Sequence, residues 1–172
     1  MKLEKFEIVK CEPYRFVGGS VYLENKGKFR ITNYLWEKSD WIFEMLEDLK
    51  EYATDEIHNA ALTTWEKYDD KNELHGYYIG RFMKAGTPIP HDLDYFDIND
   101  EYMAKGWVKG KLGDGKYGEL WRGLENMKDE IKHSGLYIEN GVISAEVYSK
   151  PDKNGESYIG FYHPCSLKNS GK

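Results

Sequence analysis

Residues 143–160 read ISAEVYSKPDKNGESYIG, and residues 63–80 read TTWEKYDDKNELHGYYIG. A Glu-x-Tyr and a Tyr-Ile-Gly recur in both stretches at a spacing of eighty residues, and Asp-Lys-Asn recurs at eighty-two. Trp41 and Trp121, also eighty residues apart, each open a segment with helical periodicity. Three features at one spacing indicate an internal duplication. Copies of a duplicated module usually meet across a pseudo-twofold axis, so the repeated Glu and Tyr are the first functional candidates.

Each half of the chain predicts one β-α-β-β module with an extra extended arm at its start. In the first half, Asp40 can cap a helix from Trp41 to about Thr54, and the predicted strands are 3–10, 14–22, 60–68 and 77–83. In the second half, the predicted helix is 121–133 and the extended segments are 95–108, 143–148 and 158–162. These elements predict an α+β fold, with a mostly antiparallel sheet, helices on one face and a ligand pocket at the interface of two pseudo-symmetric modules.

The segment 86–92 contains two prolines and is the predicted linker between the modules. Module one then spans about 1–85, module two spans about 93–165, and residues 166–172 form a tail. Copies this short rarely bury enough apolar surface to fold alone, so we expect one domain over residues 1–172.

The composition argues against several classes of partner. A net charge of −6 and an isoelectric point of about 5.4 disfavour nucleic acid, because an acidic surface repels phosphates. No apolar run approaches the roughly 18 residues of a membrane span, and the charged opening residues are unlike a signal peptide. We expect a cytoplasmic protein, with no membrane partner and with two free cysteine thiols. The five histidines lack ligand spacing, so neither a metal nor another cofactor is expected.

Aromatic side chains make up 15% of the chain, although its mean hydropathy is only −0.74. From composition alone, the favoured interpretation is that these rings fill the core and keep their polar tips near water. The alternative is an aromatic-lined cavity, and the repeat moves the balance towards it.

The two Glu-x-Tyr pairs lie on predicted strands, where residues two apart share a face. Glu146 therefore faces the same way as Tyr148, and Glu66 the same way as Tyr68, whereas Val147 is expected to face the helix-covered core. The two pairs then line one cleft, with its wall completed by other aromatic residues. These are Trp65, Trp107, Tyr117, Trp121, Tyr158 and Tyr162.

A carboxylate among aromatic rings has two chemical uses. It can pair with a cationic ligand whose rings stack on the wall. It can also act as a general base, because an apolar wall raises its pKa towards neutrality. The alternative is that Glu66 and Glu146 are solvated residues on an exposed strand face.

Three segments resemble a known family: residues 95–110, which form a strand pair; 146–152, where Glu-x-Tyr runs into a Pro-Asp turn; and the closing strand 157–164. Together they resemble the GyrI-like small-molecule-binding domains, which also form the effector-binding half of multidrug regulators such as BmrR. The resemblance implies a duplicated β-α-β-β fold with its pocket at the module interface. It places the family's buried acidic residue at Glu146 and the aromatic wall at Tyr148 and Tyr162, with Trp107 as a further candidate.

Stand-alone members of the family include hydrolases of cyclopropanoid genotoxins of the cyclopropylpyrroloindole type. The resemblance therefore implies a metal-independent hydrolase in which Glu146 takes a proton from water and Tyr148 hydrogen-bonds the substrate carbonyl. No helix-turn-helix precedes the first predicted strand, so a one-chain regulator is not expected. The alternative is a non-catalytic module that binds or sequesters drugs with a separate transcription factor or topoisomerase. A third possibility is a domain without a ligand.

Overall fold

The computed structural model describes residues 3–24, 30–54, 58–67, 73–110, 117–150 and 152–168. By their contacts the residues fall into two compact units. The central unit is Pro13–Asn99, and the terminal unit joins residues 1–12 to residues 100–172. Among the helices of the described ranges, none is both long and apolar enough to cross a lipid bilayer.

The division differs from the two sequence halves because two strands change sides. Strand β1 (Lys5–Lys10) belongs to the terminal unit, since it pairs antiparallel with β6 (Tyr102–Gly110), and Lys5 lies opposite Trp107. Strand β5 (Asp94–Ile98) belongs to the central unit, since it pairs with β2 (Tyr14–Glu24), and Tyr14 lies opposite Ile98. Strand pairing therefore sets the units, and the midpoint of the chain does not.

The central unit is an antiparallel sheet in the order β3-β4-β2-β5, where β3 is Asn59–Lys67 and β4 is Glu73–Lys84. Two helices, α1 (Arg30–Glu37) and α2 (Ser39–Glu47), cover one face, and a 3-10 turn follows at Lys50–Tyr52. Their buried apolar side chains pack on the sheet in one cluster. It contains Leu35, Ile42 and Leu46 from the helices and Val17, Ile79 and Met83 from the strands.

The predicted helix start and end are both corrected. Helix α2 begins at Ser39, after Lys38, and no side chain caps it, so Asp40 lies inside the first turn. It ends at Glu47, well before Thr54, where the chain tightens into the 3-10 turn. The preceding helix α1 was not predicted, because its sequence RITNYLWE mixes β-branched residues with polar ones.

The predicted linker is an integral part of the central unit. Thr87 is fully buried, and its carbonyl oxygen accepts a hydrogen bond of 3.0 Å from Arg15 Nη1. Arg15 also donates to both carboxylate oxygens of Asp97, at 2.7 and 2.9 Å. The guanidinium therefore fastens the crossing between β4 and β5 to the neighbouring strands, so this proline-containing segment does not separate two modules.

The terminal unit adds helix α3 (Tyr117–His133) and the strands β7 (Tyr137–Glu139), β8 (Ile143–Tyr148) and β9 (Ser157–Leu167). Its antiparallel strand order is β1-β6-β9-β8, and β7 pairs with the end of β9. Helix α3 covers one face through Leu124, Met127 and Ile131. The predicted α+β class is confirmed, and the strand Ile143–Tyr148 has its predicted bounds.

Candidate ligand site at Glu146

Glu146 and Tyr148 form a hydrogen-bonded pair on β8. The Tyr148 hydroxyl donates to Glu146 Oε2 at 2.5 Å, and both side chains are partly buried. Burial raises the pKa of the Glu146 carboxyl above its ordinary value, and the hydrogen bond from Tyr148 opposes part of that rise. The pair is thus a carboxyl group held in an apolar environment with one donor already in place.

The strand register shows which face of the sheet carries this pair. Glu146 lies opposite Phe161, and Tyr148 lies opposite Ile159. Directly opposed residues of an antiparallel ladder share a face, with Cβ atoms about 5 Å apart. Phe161 and Ile159 pack in the cluster beneath α3, and Tyr148 packs against that cluster. Glu146 and Tyr148 therefore lie on the face that α3 covers, which we call the α3 face.

The expectation that Val147 faces the helix-covered core is wrong. Val147 lies opposite Gly160, and a Cβ built on Gly160 would lie 2.7 Å from Trp107 Cζ3, on the far face of the sheet. The sequence of β8 could not show which face α3 covers, because both faces of this strand are buried. Ser144 and Val147 lie on opposite faces, and both are buried.

Three predicted wall residues lie on that far face, away from Glu146. Trp107 and Tyr162 meet edge to face with ring centroids 5.7 Å apart. Lys105 Nζ lies 4.8 Å from the Tyr162 ring centroid, which is cation–π distance. Tyr158 alternates with Gly160 and Tyr162 and is 44% exposed. Side chains on opposite faces of one sheet cannot line one cleft, so the expected wall is corrected: these three residues do not surround Glu146.

The repeat in sequence is not a repeat in register. The shared Tyr-Ile-Gly motif aligns Ile79 with Ile159, but Ile79 lies opposite Ala61, whereas Ile159 lies opposite Tyr148. Ala61, eighty-seven positions before Tyr148, therefore holds the corresponding place in the central unit. The backbone register pairs position 66 with position 74. Glu66 is consequently not the structural counterpart of Glu146, contrary to expectation.

The other predicted residues are placed as follows. Trp65 lies on β3 opposite His75, and the two rings meet edge to face at 6.3 Å. Tyr68 lies outside the described residues. Tyr117 and Trp121 are the first and fifth residues of α3, and their side chains, like that of Glu66, are outside the described part.

Phe161 and Gly123 are neighbours of the site that the sequence pattern did not predict. Phe161 is fully buried opposite Glu146. On α3, a Cβ built on Gly123 would lie 2.4 Å from Phe161 Cε2 and 3.2 Å from Val108 Cγ1. Alternation along β9 placed Phe161 on one face with Ile159, but only the pairing of β8 with β9 sets it beside Glu146.

A second buried polar cluster lies on the α3 face. His163 is 1% exposed, and neither ring nitrogen has a hydrogen-bond partner among the described residues. Its Nε2 lies 3.4 Å from Glu139 Oε2, and Lys128 Nζ of α3 lies 3.8 Å from the same oxygen. Burial, with the charge of Lys128, lowers the pKa of His163 to about 4. The described residues contain no group of three His, Cys, Asp or Glu side chains arranged to hold a metal ion.

No protein-family model matches the chain, and no curated protein matches it. Solved structures do match. SAV2435 bound to tetraphenylphosphonium has a TM-score of 0.62 at 12% identity, over 96% of this chain and 94% of that one. A putative transcription regulation protein from Staphylococcus aureus MU50 has a TM-score of 0.56 at 12% identity, over 94% and 98%. A hydrolase from Listeria innocua has a TM-score of 0.50 at 11% identity, over 96% and 94%. The chain therefore shares the fold of these proteins, which agrees with the GyrI-like fold expected from its sequence.

Proposed function

We propose that the protein binds flat hydrophobic or cationic small molecules beside Glu146. The observation that carries the proposal is the partly buried Glu146 carboxyl, with the Tyr148 phenol bonded to it and the Phe161 ring opposite. An ionised carboxyl in an apolar environment lacks part of its hydration, and an organic cation with aromatic groups restores a favourable interaction. SAV2435, which shares the fold, was solved with tetraphenylphosphonium, a cation of this kind.

A pair of ligands with similar shape and opposite charge tests this proposal. Tetraphenylphosphonium and tetraphenylborate both carry four phenyl groups, but one is a cation and the other an anion. We expect the wild-type protein to prefer the cation. Glu146→Gln should weaken the affinity for the cation by about tenfold or more, which corresponds to roughly 1.4 kcal/mol of binding free energy. The same change should leave the affinity for the anion equal or improved. Titration calorimetry measures both affinities.

Glu44→Gln is a matched control, because Glu44 is an exposed carboxylate on α2 in the central unit. It removes the same net charge and should change neither affinity by more than about twofold. An equal loss of affinity for the cation in Glu146→Gln and Glu44→Gln would indicate a general effect of protein charge. It would contradict a binding site at Glu146.

Hydrolysis of cyclopropanoid compounds is the second candidate function. The raised pKa of Glu146 favours it, because a general base is most effective with a pKa near the operating pH. In the proposed step, water oxygen bonds to the strained cyclopropane carbon and one ring C–C bond breaks. The bonding electron pair moves through the conjugated ring to the carbonyl oxygen, while Glu146 accepts a proton from water. Protonation of the new oxyanion then completes addition of one water. A hydrolase from Listeria innocua shares the fold, which is compatible with this chemistry.

The hydrogen bond within the pair restricts the role of Tyr148. A phenol has one proton, and Tyr148 donates it to Glu146. The hydroxyl can therefore stabilise the developing negative charge on a substrate oxygen only after it rotates away from the carboxylate. We propose that, when a substrate binds, the Tyr148 hydroxyl stops donating to Glu146 and donates to the substrate oxygen. The hydrogen-bond partner of Tyr148 then depends on whether the site is occupied.

Incubation with a cyclopropylpyrroloindole compound, followed by mass spectrometry, separates the two functions. Gain of one water, lost in Glu146→Gln but kept in Glu44→Gln, would support hydrolysis. An unchanged compound that still quenches tryptophan fluorescence would contradict hydrolysis and favour a sequestering module. The search would then turn to a separate transcription factor or topoisomerase as its partner.

A further inference from the structure

Helix α3 approaches the sheet closely at Gly123. A Cβ added there would lie 2.4 Å from Phe161 Cε2 and 3.0 Å from Phe161 Cζ, distances that real Cβ atoms essentially never show. The same Cβ would lie 3.2 Å from Val108 Cγ1 on β6. The absence of a side chain at Gly123 therefore allows the helix backbone to rest on a ring of β9 and a methyl group of β6.

Glycine at this position works against the helix itself. In a helix interior, glycine is about 1 kcal/mol less favourable than alanine. Gly123 lies seven residues into α3, with helical residues on both sides. Its conformational disadvantage is offset here by the close packing of α3 on the sheet, which a larger residue would prevent.

The ring that Gly123 contacts is the ring beside the candidate site. Phe161 is 1% exposed and lies directly opposite Glu146 in the ladder. It packs in one cluster with Leu124 and Met127 of α3, and Tyr148 packs against that cluster. Any movement that lifts α3 from Phe161 opens the apolar layer adjoining the Glu146 carboxyl.

We propose that Gly123 is a positioning residue for the site, because its contact with Phe161 closes α3 over the sheet and excludes water from Glu146. The glycine touches neither the carboxyl nor a ligand, so its action runs through Phe161. The inference deepens the proposed function by naming what sets the proton affinity of its central group. It does not depend on the ligand, because hydration of the carboxyl can be measured directly.

Gly123→Ala tests this inference through the titration of Glu146. In an ordinary helix this substitution would stabilise the protein. Here the new methyl must displace Phe161 or lift α3. Water then reaches the carboxyl, the charged form is penalised less, and the pKa of Glu146 falls by about half to one unit. Carbon-13 NMR of the side-chain carboxyls, assigned with Glu146→Gln, measures the midpoint directly.

Two further variants keep the test decisive if Gly123→Ala folds poorly. Phe161→Leu removes the ring atoms without altering α3, and it should also lower the Glu146 midpoint. In Gly123→Ala/Phe161→Leu the clash partner is gone, so the helix can return towards the sheet. The double variant should therefore fall short of the sum of the two single shifts, and its stability should exceed that of Gly123→Ala.

Gly141→Ala is the control, because a Cβ at Gly141 would have no neighbour within 4 Å. It should leave the midpoint unchanged. The inference is overturned if Gly123→Ala destabilises the protein while the Glu146 midpoint stays at its wild-type value. It is also overturned if the effects of Gly123→Ala and Phe161→Leu on the midpoint are additive. Titration of the wild-type protein with tetraphenylphosphonium is a separate measurement. If the wild-type protein does not bind this cation, while Gly123→Ala still lowers the Glu146 midpoint, the result counts against the proposed function alone.

Discussion

Tyr148 donates its single hydroxyl proton to Glu146 Oε2, two residues away on the same face of β8, at 2.5 Å. The donor stabilises the ionised carboxyl, and the burial of the carboxyl opposes ionisation. The pKa of Glu146 is therefore a balance between the hydrogen bond from Tyr148, which lowers it, and burial beneath α3, which raises it.

Tyr148→Phe should raise the pKa of Glu146 further. The substitution removes the donor that favours the charged form and leaves the apolar environment in place. A hydrogen bond to a charged group contributes about 1.5–3 kcal/mol, so we expect the pKa to rise by about one to two units. Carbon-13 NMR of the carboxyl measures it. Tyr34→Phe, at an exposed position on α1, removes a phenol without affecting the site, and a lower midpoint in Tyr148→Phe would contradict the assigned role.

Glu146→Gln should make the protein more stable at neutral pH. The folded-state pKa of Glu146 lies above its unfolded value of 4.5, so its stabilising effect is complete below that pH. The effect is lost as pH rises through the folded pKa, because ionisation then opposes burial. Glutamine never ionises, and its amide oxygen can still accept from Tyr148. Urea unfolding should show a gain in the free energy of unfolding at neutral pH that disappears below pH 4.5. A gain that persists in acid would contradict this account.

His163 should make the protein sensitive to acid. Its folded pKa of about 4 lies below the ordinary value of 6.5, so the unfolded state binds more protons between these pH values. Stability should therefore fall by about 1.4 kcal/mol per pH unit across this window, up to about 3 kcal/mol. The charged groups that act on His163 are Lys128 on α3, Glu139 on β7 and Asp100 before β6.

His163→Phe removes the titrating ring and should flatten the acid slope measured by urea unfolding between pH 6.5 and about 4. It also removes two buried nitrogens that have no hydrogen-bond partner among the described residues. His91→Asn is the control, because the His91 side chain is 97% exposed and should leave the slope intact. An unchanged slope in His163→Phe would assign the acid sensitivity to other groups.

Trp107→Phe should leave tetraphenylphosphonium affinity within about twofold of wild type, because Trp107 lies on the far face of the sheet from Glu146. Phe161→Leu, on the α3 face, should weaken binding by about fivefold through loss of an aromatic contact. Calorimetric titration of both variants compares the two faces. The reverse order would place the ligand on the far face, with Tyr162.

Local patterns predicted most of the elements. The apolar spacing of Leu124, Met127 and Ile131 and the basic residues at 132 and 133 predicted the end of α3, and Gly135 follows with φ 70°. The short strand β7 and helix α1 were missed because each has a weak pattern that packing stabilises. The side-chain pair Glu146 and Tyr148 was predicted, including its shared face.

The surroundings of Glu146 could not be predicted, because they depend on register and on which face a helix covers. Five residues separate β3 from β4, whereas eight separate β8 from β9. The longer turn shifts the pairing, so Glu-x-Tyr motifs at equal spacing occupy different places in their ladders. The sequence similarity between the halves therefore predicted the individual strands correctly, but it did not predict the register in which they pair.

The pairing of β1 with β6 has a consequence for how the chain is made. Lys5 and Trp107 are opposite each other in the ladder, yet about a hundred residues of chain separate them. During synthesis the whole central unit leaves the ribosome between these two strands. Strand β1 must therefore keep an unpaired edge until β6 has been synthesised. Its charged residues, Lys5, Glu7 and Lys10, alternate in sign and disfavour pairing with the edges of other strands during that interval.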